Sequence, residues 1–199
     1  MGEHAHVDPT RYEKMYADRQ VSHGLPAATP WDIGGPQPVV QQLVALGAIK
    51  GEVLDPGTGQ GHHAIYYASQ GYSATGIDSS PTAIERAKEN ARSAGVSVNF
   101  QVADAMALEG LENRFDTVVD CAFYHLFSDV MVLKRSYAQN LHRATKPGAR
   151  LYMSNSAPAT STAMVRRGRY PWMTSCRCSP TPVGKSRIYG RPRIGSTSA

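Results

Sequence analysis

The chain has 199 residues, 41% of them apolar, which suits one domain with a buried core. Its formal charge is +5, yet residues 154–199 hold eight Lys or Arg and no acid, so residues 1–153 carry 13 basic and 16 acidic side chains, a net of −3. No run of 18 apolar residues exists and the first ten residues lack a basic start and an apolar stretch, so neither a membrane span nor a secretory leader is expected. Three cysteines at 121, 176 and 178 form no disulfide pattern, which leaves a cytoplasmic location as the expectation. His4 and His6 alternate near the start and make poor metal ligands, so no metal site is expected.

The first predicted element is a helix over Arg11–Asp18, where Tyr12 and Tyr16 share one face. They suit either packing on the domain or a lid over a ligand. Gly24–Pro38 is rich in Gly and Pro and reads as an ordered loop, because Trp31 and Ile33 need a place to pack. Residues 1–36 are therefore expected to form a cap. A helix over Pro38–Leu46 should bury Val39, Leu43 and Leu46.

The spine comes next, in Gly51–Gly61, GEVLDPGTGQG. Val53-Leu54 reads as a buried strand ending on Asp55. Gly57, Gly59 and Gly61 form a tight turn, and Ala64, Ile65 and Ala68 have helical spacing. Strand, glycine turn and helix make the first half of a βαβ unit. Glycines there let a ligand approach backbone N–H groups at the helix start. A phosphate-binding P-loop needs Gly-Lys-Ser/Thr, and the chain has Gly61-His62-His63. A dinucleotide loop, GxGxxG, needs Gly at position 62. A strand-end acid suits a cationic ligand better than a pyrophosphate.

A second strand, Tyr72–Ile77, ends on Asp78, which is placed to accept hydrogen bonds from both hydroxyls of a ribose. Asp78 also suits capping the next helix, Pro81–Ser93, whose Ala83, Ile84, Ala87 and Ala91 point inward and which Gly95 ends. The third strand, Val96–Val102, leads to Asp104, which suits either an adenine amino group or an ordinary turn. The fourth, Phe115–Cys121, runs into Ala122–Phe127. Ligands of open α/β sheets sit outside the strand C-terminal ends, so Asp120, Tyr124 and His125 are candidates for the reaction centre. His125 is a candidate base or orienting group. A helix carrying Val130, Leu133, Tyr137 and Leu141 precedes Lys146–Met153, which reads as a Lys-Pro-Gly turn into the fifth strand.

LDPGTGQG, GIDSS, VADA and FDTVVD, in that order over Val53–Asp120, resemble a class I S-adenosylmethionine-dependent methyltransferase. Pro30-Trp31-Asp32-Ile33-Gly34 is similar to the leading segment of the small-molecule branch, the thiopurine-methyltransferase-like and tellurite-resistance-like enzymes, in which the Trp covers the cofactor. The commoner loop is Gly-Cys-Gly-Thr-Gly; here Gly57-Thr58-Gly59-Gln60-Gly61 keeps all three glycines. The resemblance implies a doubly wound, mostly parallel α/β sheet over residues 37–153. It implies S-adenosylmethionine held by Trp31, Asp55, the loop Gly57, Thr58, Gly59 and Gly61, the second-strand tip Asp78 and Ser79, and Asp104, Ala105 and Asp120. It also implies transfer of a methyl group to O, N or S of a small molecule. A dinucleotide oxidoreductase and a non-catalytic relic binding the cofactor, or nucleic acid through its basic tail, are the alternatives.

After Met153 the periodicity stops, and residues 154–199 read as a basic, disordered tail. The last two strands of the similar enzymes are expected to be missing. Nucleic acid is not favoured as partner, and oligomeric state is not legible. The expected cause of the change is a shifted reading frame, by error or in nature. Taking the last base of each codon with the next two, Trp172-Met173-Thr174 forces Asp-Asp, and the junctions into Cys176 and Cys178 force apolar residues.

Overall fold

The computed structural model describes residues 9–17, 31–127 and 130–154. The basic tail and its out-of-frame reading therefore lie outside the described residues. Elements run α1 (Pro9–Ala17), α2 (Pro38–Ala45), β1 (Glu52–Pro56), α3 (His62–Ser69), β2 (Ser73–Asp78), α4 (Pro81–Ala94) and β3 (Asn99–Val102). Then come β4 (Phe115–Cys121), a short 3₁₀ turn (Tyr124–Phe127), α5 (Met131–Ala144) and β5 (Thr145–Ser154).

The five strands form one parallel sheet in the order β3-β2-β1-β4-β5. Central strands are covered on both faces, so they are apolar without alternation. Val53 and Val119 meet Val40, Ala64, Tyr67, Ile84 and Ala87 on one face. Leu54 and Val118 meet Ile77, Phe115, Tyr137 and Leu141 on the other. Each such side chain removed from water contributes about 1.5–3 kcal/mol. The order reverses between β1 and β4, and that switch opens a crevice at the strand C-terminal ends.

Four sequence expectations shift. In α2 it is Val40 that is fully buried, while Val39 and Leu46 are exposed. β3 begins at Asn99, because Val96 N–H still donates to Ala91 O past the Gly95 cap and keeps the chain in the helix terminus. β2 includes Asp78, paired with Val102. The Lys146-Pro147-Gly148 turn, expected to precede the fifth strand, lies inside β5: Thr145 pairs with Phe115 and Arg150 with Thr117, so the intervening residues bulge out of the ladder. Lys146 on that bulge reaches Asp116 at 2.8 Å.

Candidate cofactor and acceptor site

The turn after β1 is fixed from below. Asp55 is buried and accepts from Thr58 Oγ1 at 2.6 Å, and Thr58 N–H donates to Ile77 O at 2.8 Å. Gly61, at φ 82°, starts α3. A Cβ there would stand 2.6 Å from the Phe100 ring and 2.9 Å from Ala87 Cβ, so only glycine lets α3, α4 and β3 close together. At Gly59 a Cβ would meet the Tyr16 hydroxyl at 2.8 Å, and at Gly57 the Phe123 ring at 2.5 Å. All three glycines are thus approached by aromatic side chains, from α1, β3 and the segment after β4.

A cavity of about 520 Å³ opens beside this turn, within the range of small-ligand sites. The strand ends supply Gly57, Asp78, Ser79, Val102, Asp104, Ala105 and Cys121. Tyr12, Tyr16 and Trp31 line one wall; Met106, Phe123, His125, Leu126, Phe127 and Leu133 line another. Asp78 sits at its base. Its Oδ2 accepts from Gly59 N and its Oδ1 from Ser80 N, each at 2.9 Å. Burial raises its pKa above 3.8, and those two N–H bonds oppose the rise. The α4 cap is Ser80, whose Oγ accepts from Ala83 N at 3.0 Å, which leaves Asp78 turned to the cavity. Asp104 Oδ1 accepts from Met106 N at 2.8 Å, and the residue lines the cavity.

Trp31, Asp78, Ser79, Asp104, Ala105, Gly57 and His125 come together as the sequence anticipates. Asp55, Thr58, Gly59, Gly61, Asp120 and Tyr124 do not line the cavity. Asp55, expected as a strand-end acid near a cationic ligand, has oxygens engaged beneath the turn, by Thr58 and toward His63 Nδ1 at 3.8 Å. Asp120, expected near the reaction centre, is engaged in the same way. It is fully buried and accepts from Phe123 N at 3.0 Å, Tyr124 N at 3.1 Å and the Tyr137 hydroxyl at 2.9 Å. Burial raises its pKa, and these three donors pull it back. Tyr124 packs its ring among Phe127 and Tyr137 instead of facing the cavity. Burial also pushes the Cys121 thiol up to about 12, which keeps it a thiol.

Two clamps escaped sequence reading. Glu13 of α1 accepts from Ser80 Oγ and from Thr82 Oγ1, tying the aromatic wall to the start of α4. Those hydroxyl donors hold its carboxyl below the usual range. Asp32 accepts from Gln60 Nε2 and lies 3.1 Å from His62 Nε2, which pins the Trp31 segment to the glycine turn. His62 was legible only as a residue that breaks GxGxxG. Its partner lies 30 residues earlier, and no local pattern joins them.

The family described as Methyltransferase domain matches residues 50–179. The chain belongs to this methyltransferase family. The match runs past residue 153, the domain boundary expected from composition. The chain is 41% identical over 126 residues to 2-heptyl-1-hydroxyquinolin-4(1H)-one methyltransferase of Mycobacteroides abscessus, covering 63% of this chain and 55% of that protein. It is 34% identical over 127 residues to probable thiol methyltransferase 2 of Arabidopsis thaliana, covering 62% and 55%. A solved structure concerned with conversion of a disulfide bond into a thioacetal group during echinomycin biosynthesis is 42% identical with a TM-score of 0.65, covering 71% of this chain and 57% of that one. The chain spans little more than half the length of these relatives. Among the described residues, no helix is long and apolar enough to cross a membrane, and no group of three or more His, Cys, Asp or Glu is placed to hold a metal ion.

Proposed function

We propose that this methyltransferase moves a methyl group from S-adenosylmethionine to an O, N or S atom of an apolar, aromatic or thiol-bearing small molecule. The observation that carries this reading is Asp78. It is a carboxylate with two oxygens anchored by backbone N–H groups at the strand tip, facing a cavity next to the glycine turn. Its remaining lone pairs suit the two hydroxyls of a ribose. In this reading Asp104 and Ala105, which line the cavity past the end of β3, meet the adenine, and Trp31, whose ring touches Tyr12, covers the cofactor.

Bound S-adenosylmethionine supplies a methyl carbon on a positively charged sulfur that leaves as a neutral thioether. The chain's task is to align the acceptor lone pair with that carbon and to exclude water. The Phe123, Leu126, Phe127 and Leu133 wall gives a flat apolar acceptor a surface to lie on. His125 takes the proton from an acceptor O–H or S–H. The names of the two curated relatives, a hydroxyquinolone and a thiol methyltransferase, support acceptors of that kind.

Calorimetric titration with S-adenosylhomocysteine and, separately, NADH tests the reading. Heat of binding is expected for the first and none for the second. Asp78→Ala should weaken the first by about tenfold or more. Unchanged affinity in that variant would remove the ribose role. Labelled-methyl transfer to 2-heptyl-1-hydroxyquinolin-4(1H)-one and to a simple aryl thiol then tests the acceptor class.

A further inference from the structure

Beyond the cofactor half, the acceptor wall has its own support. The chain leaves β4 through Ala122, at φ 71°, a left-handed conformation that costs a residue with a Cβ about 1–2 kcal/mol. Ala122 N–H is held by Ser154 O at 2.8 Å, at the end of β5. The next two N–H groups both donate to Asp120 Oδ1. The other carboxylate oxygen takes the Tyr137 hydroxyl, from the middle of α5. The Tyr137 ring also touches three rings of the same segment: Phe127 at 5.2 Å, Phe123 at 5.4 Å and Tyr124 at 6.3 Å between centroids. Phe123, His125, Leu126 and Phe127 reach the cavity; Asp120 and Tyr137 do not, being fully buried.

We infer that Asp120 and Tyr137 are a positioning pair: their hydrogen bond locks the turn that sets Phe123 against Gly57 and presents His125 to the acceptor. The inference rests on the proposed acceptor site for its purpose and on geometry alone for the lock. A buried carboxylate must have its lone pairs met, and here one oxygen serves the turn while the other serves the helix. An ionised carboxylate accepts all three bonds at once, so the strained exit from β4 has one favourable arrangement. A structural core contact would need no hydroxyl on residue 137, since phenylalanine fills the same space.

The test uses the full chain with Tyr137→Phe and, separately, Asp120→Asn. The asparagine variant would keep one oxygen for the turn and offer an N–H to the tyrosine oxygen, so it should behave more mildly. In Tyr137→Phe the amides of Phe123 and Tyr124 are expected to exchange about tenfold faster or more, with β1 and β2 amides unchanged. The ring resonances of His125 should move toward those of an unstructured histidine. S-adenosylhomocysteine affinity should stay within about twofold, because the cofactor residues lie on other strand ends. Unchanged exchange at Phe123 and Tyr124, with His125 resonances in place, overturns the inference. So does faster exchange spread evenly over the sheet, which marks plain destabilisation. If Tyr137→Phe does not fold, exchange in the unmutated chain decides: Phe123 and Tyr124 amides protected as well as those of β4 uphold the lock, and amides exchanging as freely as an open turn overturn it. Absence of S-adenosylhomocysteine binding in the unmutated chain overturns the cofactor reading instead, and the exchange result stands apart from it.

Discussion

Asp32 Oδ1 lies 3.1 Å from Nε2 of His62, joining the segment that carries Trp31 to the first turn of α3. The second Asp32 oxygen holds Gln60 of the same turn. A loop that its glycines make conspicuous is therefore also a receptor for an acid from the cap. Asp32→Ala should free Trp31 without unfolding the sheet. The expected outcome is a red-shifted tryptophan emission and a fivefold or greater loss, roughly, of S-adenosylhomocysteine affinity, with the melting temperature little changed. Trp172 also emits, so the spectra are compared in a Trp172→Phe background.

Glu13 holds α1 on α4 through two hydroxyls. Glu13→Gln should cost about 1 kcal/mol at most, given the half-buried position, read as faster amide exchange across α1. The folded pKa of Glu13 is lowered, so its contribution is present above the unfolded value near 4.5 and disappears as pH falls through the lower folded value. Acidification should therefore release α1 in the unmutated chain and leave the glutamine variant unaffected.

Asp78 behaves in the opposite sense. Burial raises its folded pKa above 3.8, so the folded state holds an extra proton between the two values. Stability contributed by this group falls as pH rises through that window. Ribose recognition needs the charged form, so S-adenosylhomocysteine affinity should rise over the same window. Calorimetry across mildly acidic pH checks this, and Asp78→Asn should bind weakly with that pH step removed.

Gly61 and Gly71 share a left-handed backbone but not a neighbourhood. Gly71, at φ 86°, has nothing within 4 Å of a Cβ; Gly61 has Phe100 and Ala87 inside 3 Å. Gly71→Ala should cost about 1 kcal/mol from backbone strain alone. Gly61→Ala adds overpacking of about 1–3 kcal/mol and should be clearly the worse in chemical denaturation.

Much of the architecture was written locally. The run Val53-Leu54 marked a strand buried on both sides, the glycine turn marked the start of α3, and Ser80-Pro81 to Gly95 bracketed α4 by its caps. Asp78 at a strand tip was legible for the same reason, since a parallel sheet with crossover helices sends its strand ends to one edge. The boundary at Val96 failed because the terminus of α4 holds one residue past its glycine cap, and tertiary contacts overrode the local pattern at Val39 and the Lys146–Gly148 bulge.

Residue order alone carried the sheet, the succession of its motifs and the family membership. Periodicity and turn chemistry act between residues a few positions apart, so they survive in a linear string. Which acids face the cavity was settled in three dimensions. Asp55, Asp78 and Asp120 all lie at the ends of parallel strands, yet Asp55 is used by Thr58 and Asp120 by Phe123, Tyr124 and Tyr137, while Asp78 alone of the three reaches the open space. A carboxylate's role depends on which donors arrive around it, and those donors come from elements that only the folded chain brings near.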